Sequence, residues 1–479
     1  MLEQSDYLGI DAVTLSARVQ AGDCKISEIT ECAFSRAESV EPIINSIVTK
    51  DFEKAMAVAK SFDTNPKLLQ PNNISPGFPL LIKDLSTVKG LTTTLGSNLF
   101  KGSIATNSSA IVQRYKDAGL NIFGLTNTPE FGLTITTEPI ANGVTRNPWN
   151  PDYSTGGSSG GAAAAVASGI SPVAHATDGG GSIRIPAACC GVFGLKPSRG
   201  LTVIDNKQSG SWGGMSIGHV VSQSVKDSAA FLDIIKLKRA HLFPLPPSPD
   251  SFLQNLTIVP KELKIGLQLD HPLGQPIDQE CIDGANRAAQ LCEALGHNVD
   301  EISHPIEYGP VVSAMAKIIN TYVFQRVATQ AQQLNISPEE MELERSTKIT
   351  VNLGRDVTVA EFLKARDIIF EAELIMREFH QTHDVIISPV LAKTPAKIGW
   401  LDMNSTDMKE YTQRFRQYSG FTSIYNGTGQ PSMSVPLHRA DSGLPVGVMF
   451  TGAWGSDLQL LRLARQLEEV QPWPRYAKI

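Results

Sequence analysis

Two glycine–serine clusters dominate this sequence, Gly156-Gly157-Ser158-Ser159-Gly160-Gly161 and Asp178-Gly179-Gly180-Gly181-Ser182, with Ser158 and Ser182 twenty-four positions apart. Glycine accepts backbone angles that other residues avoid and leaves its N–H groups uncovered. A run of glycines ahead of a serine on a strand-to-helix turn makes a nest of donors, which a tetrahedral oxyanion requires. The flanking segments supply such turns. Residues 162–167 read as a helix start and 172–177 as a strand running into Asp178. Strand, helix and strand in alternation favour an α/β sheet.

Other readings of the first cluster fit less well. A flexible Gly/Ser linker would not sit between a loop and a helix with strands on both sides. A phosphate loop requires G-x-x-x-x-G-K-[ST], and no lysine follows these glycines. Residues 157–161 formally match G-x-S-x-G, but that nucleophile elbow follows a buried strand, and Asp152-Tyr153-Ser154-Thr155 does not read as one.

A serine hydroxyl is a weak nucleophile and needs a proton acceptor. His175 lies seven residues before Ser182 on the expected strand, where alternation makes it a packing or hydrogen-bonded core residue. Lysine is the other option. Pro76-Gly77-Phe78-Pro79 signals a turn, and Leu80-Leu81-Ile82 a short buried strand that delivers Lys83 at its C-terminal end. Holding a lysine neutral at pH 7 takes about 4–5 kcal/mol against a reference pKa near 10.4. Burial moves a lysine by about 3–5 units, which suffices. Asp84 would favour the charged lysine unless alternation sends its carboxylate to the opposite face.

Elsewhere, helical spacing covers residues 11–62, with an N-cap at Ser27, and returns at 109–119, 226–237, 278–295 and 457–469. Thr358-Val359-Ala360-Glu361 is a capping box that opens another helix. Strands are expected at 122–125, 263–269 and 384–388, and residues 429–436 also read as core. Residues 126–155 read as loop, with Asn147-Pro148-Trp149-Asn150-Pro151 refusing regular structure. The proline-rich run 244–249 is the best candidate linker, and 250–380 is mostly helical. A chain of 479 residues suits two or three domains, or one large α/β core with an inserted part.

A net charge of -6 without a dense Lys/Arg cluster leaves no footprint for nucleic acid. The start MLEQSDYLGI lacks the basic and apolar regions of a secretory signal, and no apolar stretch reaches the length of a membrane span, so a cytoplasmic location is expected. The six cysteines form no C-x-x-C and read as buried reduced thiols. His380 and His383 are the close histidine pair, but no carboxylate-flanked motif accompanies them, so no metal site is expected.

GGSSGG, TDGGGSIRIPAACCGVFGLKPSRG and the upstream GFPLLIKDL closely resemble the amidase signature family. The likeness runs from the helix near Ser27 through TNTPEFG and TRNPWN to SGLPVGVMF, and is weakest from about 240 to 380. It implies an α/β fold, a large mixed many-stranded β-sheet flanked by helices. One domain would span 1–479, with a signature core at 65–240 and a variable, mostly helical substrate-shaping region at 250–380. Position by position, it implies a catalytic triad of Lys83, Ser158 and Ser182, with a cis peptide before Ser158. The oxyanion hole would be the N–H groups of Gly179, Gly180, Gly181 and Ser182, with Ser159, Asp178 and Arg184 in support. The implied activity is hydrolysis of a linear or cyclic carboxamide through an acyl-enzyme on Ser182, without metal or cofactor. The expected partner is a small-molecule amide, not nucleic acid or membrane, with homodimerisation left open.

Gly179 stands where many relatives carry Thr, Ile or Ser, which leaves a backbone nest intact. The TTEP…TRNPWN stretch looks most like stand-alone bacterial amidases, including a subgroup similar to 6-aminohexanoate-cyclic-dimer hydrolases. PSRGLTVIDNKQSG differs from the corresponding run of the glutamyl-tRNA amidotransferase A subunit, which counts against an obligate partner. That A-type role, making ammonia from glutamine, is one alternative, and an inactive amidase-like scaffold is the other. Tyr308, Met315 and Tyr322 suggest an apolar pocket lining, although the same spacing suits ordinary core.

Overall fold

The computed structural model describes residues 2–65, 73–204 and 209–479, so 205–208, part of the PSRGLTVIDNKQSG run, lie outside the described residues. Among the described residues the strands are β1 (Ile47–Lys50), β2 (Pro79–Lys83), β3 (Asn121–Thr126), β4 (Arg146–Asn147), β5 (Asn150–Ser154), β6 (Val173–Asp178) and β7 (Phe193–Lys196). They continue as β8 (Ile217–Ser222), β9 (Lys264–Leu267), β10 (Asn298–Glu301), β11 (Val385–Pro389), β12 (Ser432–Arg439) and β13 (Pro445–Gly452). Eleven of them form one mixed sheet in the order β1-β3-β2-β6-β8-β7-β12-β13-β11-β9-β10, and β4 pairs with β5 apart from it. The expected fold class is the one found.

Strand periodicity explains how the sheet separates two cores. Val385 and Ile387 of β11 join one apolar cluster while Ile386 between them joins the other. In β13, Val448 and Phe450 likewise take one side and Met449 the opposite one. Successive side chains point to opposite faces of a strand, so each face of the sheet is covered by its own helices. Helices 26–44, 160–167, 225–235 and 457–470 pack on the first face, and 308–334 and 359–379 on the second.

The helix Gly160–Ala167 is buried along its whole length because its residues are small. A Cβ on Gly160 would run into Thr137 and Thr155, and one on Gly161 into the backbone of Asn127 and Ser46. These two glycines therefore serve close approach rather than flexibility.

The structure corrects four expectations. The segment 11–62 is not continuously helical: Asn45, with φ of 50°, ends the helix Ile26–Ile44, and β1 follows as an antiparallel edge strand on β3. Four residues are too few to show a two-residue period, so the helical spacing around them masked the strand. Ser27 is not the N-cap, which is Lys25; Ser27 lies inside the first turn, where Asp63 accepts its N–H. Residues 147–151 contribute to a hairpin rather than refusing structure. The Asn147 amide donates to Ser154 O at 3.1 Å and Cys189 O at 2.8 Å, while its carbonyl accepts from Trp149 N–H at 3.0 Å. Side-chain bonds thus satisfy a turn whose prolines lack donors. Finally, 244–249 separates no independent sheets, since β9, β10 and β11 extend the sheet begun before it.

Phe193 of β7 is fully buried at the middle of this sheet. Phe193→Ala should lower unfolding stability by about 3–5 kcal/mol. The check is urea titration: a lower midpoint at unchanged slope is expected, and an unchanged midpoint would contradict the packing described.

Candidate active site

β2 and β6 are parallel neighbours, so Lys83 and the pair Thr177-Asp178 arrive at the same edge of the sheet. Carboxyl ends of parallel strands are where open α/β sheets bind ligands. Ser158 and Ser159 lie on the turn into the helix Gly160–Ala167, and Ser182 on the turn into the helix Arg184–Cys190. The Gly157–Ser158 peptide is cis, as the resemblance implies. Ser158, Thr177, Gly179 and Ser182 line one cleft of about 400 Å³.

Lys83 is fully buried and faces hydroxyls. Its Nζ lies 2.7 Å from Ser158 Oγ, 2.8 Å from Ser159 Oγ and 3.0 Å from Thr177 Oγ1. Burial pushes its pKa well below the ordinary lysine value, against a smaller upward pull from the charge of Asp178. Asp84 does not cancel the effect: its carboxylate accepts from Thr94 N–H at 3.0 Å, and burial raises its own pKa to about 7. His175 is the core residue its position suggested. Its Nδ1 accepts from Lys83 N–H at 3.2 Å, and burial, aided by Lys83 and His219, lowers its pKa to about 3.

A buried ion pair holds the second glycine cluster. Arg184 Nε meets Asp178 Oδ2 and Arg184 Nη2 meets Asp178 Oδ1, each at 3.0 Å, with both side chains inaccessible to solvent. Burial alone would raise the Asp178 pKa, but the Arg184 charge and the hydrogen bonds outweigh it and hold the carboxyl well below its usual range. Asp178 also accepts from Gly181 N–H at 2.7 Å and Ile183 N–H at 3.0 Å.

That last geometry commits one of the donors expected for the oxyanion hole. The tight turn returns Gly181 N–H onto the Asp178 carboxylate, so this donor is already committed. The N–H groups of Gly179, Gly180 and Ser182 have no acceptor among the described residues. Nor does a hydrogen bond join the Ser182 hydroxyl to Ser158 among the described residues, although both line the same cleft. Such contacts commonly tighten only when substrate binds.

Sequence reasoning missed several neighbours of these groups. Thr177 touches Lys83 directly, and its place two residues after His175 on β6 puts both on one face, a signal that strand alternation carries. Gly132, from TNTPEFG, packs so close that a Cβ there would come within 3.0 Å of Ser158 Oγ. Asn426 donates to Asp178 Oδ1 at 2.9 Å and accepts from Arg184 Nη2 at 2.6 Å, and Thr422 O accepts from Arg184 Nη1 at 2.8 Å. Nothing local in the sequence points to these two. Tyr308 and Met315 are buried in the second core, whereas Tyr322 lines the cleft.

No cluster of three or more His, Cys, Asp or Glu side chains able to hold a metal occurs among the described residues. All six cysteines are buried and unpaired. No helix among the described residues is long and apolar enough to cross a membrane.

The lowered pKa of Lys83 makes a stability prediction. Between its folded pKa and the unfolded value near 10.4, the unfolded chain binds one more proton, so wild-type stability gains with rising pH. Lys83→Met removes that gain. Its stability relative to wild type should be highest at neutral pH and fall by up to about 1.4 kcal/mol per pH unit toward pH 10. Urea unfolding at pH 7, 8, 9 and 10 checks this, and a difference that does not change with pH would show a lysine charged in the folded state.

Comparison with known proteins bears on the chemistry. Residues 28–461 match the model of the Amidase family. The 6-aminohexanoate-cyclic-dimer hydrolase of Paenarthrobacter ureafaciens is 32% identical over 483 residues, covering 97% of this chain and 95% of that protein. A structure of 6-aminohexanoate cyclic dimer hydrolase complexed with substrate superposes with a TM-score of 0.89 at 31% identity, covering 98% of both chains. A bacterial aryl acylamidase of the amidase signature family superposes with a TM-score of 0.86 at 26% identity, again covering 98% of both chains.

Proposed function

We propose that this chain, which belongs to the amidase family, cleaves carboxamides through an acyl-enzyme on Ser182, with Ser158 as the proton relay and Lys83 as the base. Amide hydrolysis is the family's reaction, and an amide is its substrate. The observation that carries the finer reading is the Lys83 amine, buried among three hydroxyls with no ion-pair partner among the described residues.

A neutral amine has two N–H donors and one lone pair. Ser159 directs its own proton to Thr177 O at 3.1 Å, so it accepts from Lys83, and Thr177 Oγ1 takes the second N–H. The lone pair is then left for the Ser158 hydroxyl. Lys83 draws the proton of Ser158 as Ser158 draws that of Ser182, and the Ser182 oxygen bonds to the amide carbon. Gly179, Gly180 and Ser182 offer the N–H groups for the oxyanion. The proton on Lys83 returns through Ser158 to the leaving nitrogen as the C–N bond breaks. Water enters by the same relay and releases the carboxylic acid from Ser182. Likeness to a cyclic-dimer hydrolase and an aryl acylamidase supports a secondary amide, linear or cyclic.

Intact-mass spectrometry after a fluorophosphonate probe tests the nucleophile. Wild type should gain one adduct and Ser182→Ala none, with amide turnover down by at least about 10³-fold in that variant. Wild-type turnover from Ser182→Ala would overturn the assignment. Lys83→Met should lower kcat/KM by about 10²–10⁴-fold. The wild-type kcat/KM should rise with pH along an acid limb whose midpoint lies well below 10.5, the depressed pKa of Lys83.

A further inference from the structure

The helix Tyr308–Leu334 turns one polar face to the catalytic cleft. Tyr322, Gln325, Arg326, Thr329, Gln330 and Gln333 line it, at the alternating spacing of three and one that marks a single helical face. Val323, Val327 and Ala331 on the other side pack into an apolar cluster, which fixes the rotation of the helix. Arg326 is the one charged side chain lining the cleft among the described residues.

Its guanidinium makes no hydrogen bond or ion pair among the described residues, and it is open to the cleft. The side chain is exposed on the cleft wall, so a ligand entering the cleft can reach it. It stays charged in any case. The site's own carboxylate cannot neutralise it, because Asp178 is paired with Arg184 beneath the loop. Among the described residues the cleft therefore presents an unpaired planar cation flanked by neutral amide side chains. Carboxylates meet such a fork with two parallel hydrogen bonds, which adds geometric specificity to the charge attraction.

We propose that Arg326 binds a carboxylate on the substrate, so that the amides this enzyme prefers carry an anionic group remote from the scissile bond. This rests on the reading of the Ser182 cleft as the substrate site. The carboxylate belongs to whichever half of the amide extends along the helix 308–334, the acyl part or the leaving amine.

Two matched pairs of probes test it: glutaryl-p-nitroanilide against its methyl ester, and N-butyryl-4-aminobenzoate against its methyl ester. Wild type should favour the free acid in at least one pair by about 10- to 100-fold in kcat/KM. Arg326→Met should abolish that preference mainly through KM while moving the ester by less than about 3-fold, and Arg326→Lys should restore part of it. No preference in wild type, or equal losses on acid and ester, would overturn the proposal. Thermal unfolding of Ser182→Ala with added glutarate gives a readout without chemistry: the midpoint should rise, and the added Arg326→Met change should remove the rise. If no probe is hydrolysed, this measurement alone decides, and the absence of a shift overturns the proposal. Turnover surviving in Ser182→Ala would defeat the nucleophile assignment and leave the Arg326 result standing.

Discussion

An ion pair without access to water, Asp178 with Arg184, lies beneath the whole site. Two charges in such a place gain little net stability, because removal from water costs about as much as their attraction returns. What the pair supplies is geometry. Asp178 accepts from Arg184, Asn426 and two N–H groups of its own loop, so every lone pair is occupied. Arg184 is held in turn by Thr422 and Asn426 from the C-terminal third of the chain. A loop of glycines, which would otherwise sample many conformations, is thereby fastened at both ends. Gly179 and Ser182 line the cleft, while Asp178 has claimed the N–H of Gly181.

The same carboxylate sets how far Lys83 is perturbed. Burial favours the neutral amine and Asp178 pulls the other way. Because Asp178 already has Arg184, its charge is largely answered before it reaches Lys83, and burial wins. Asp84, adjacent in sequence, is directed to Thr94 and adds no ion pair. A lysine of ordinary basicity would hold its proton at neutral pH and accept none from Ser158. The depressed basicity of Lys83 is therefore a product of strand placement: it stands at the buried end of β2, and among the described residues its amine hydrogen-bonds to hydroxyls alone.

Much of this was legible in the sequence, and the limits are physical. Unbroken apolar runs and glycine punctuation placed β2, β6 and the helix 160–167, and with them Lys83, Ser158, Ser159 and Ser182. Burial of Lys83 followed from its position at the end of Leu80-Leu81-Ile82. The edge strand β1 did not announce itself, being four residues between two helices. The hairpin at Asn147 depends on side-chain bonds to Cys189 O that no local pattern reports. Asn426 and Thr422 lie more than two hundred residues from Asp178 and Arg184, and only the fold brings them together. The commitment of Gly181 to Asp178 was invisible for another reason: a motif names the donors of a nest but not which donor the turn itself consumes.

The two walls of the cleft obey different constraints. On the sheet side, Gly160, Gly161 and Gly132 stand where a Cβ would strike backbone, Thr137 or Ser158, so substitution there disturbs the packing around Ser158. The opposite wall is one face of the helix 308–334, whose attachment depends on Val323, Val327 and Ala331 and not on the residues turned to the cleft. Exchanging a polar side chain on that face costs little packing, since surface substitutions away from special features move stability by only about 0.5 kcal/mol. On the proposed function, bond cleavage and substrate choice would therefore be carried by different elements. Among the described residues the charge on that face is the cation of Arg326.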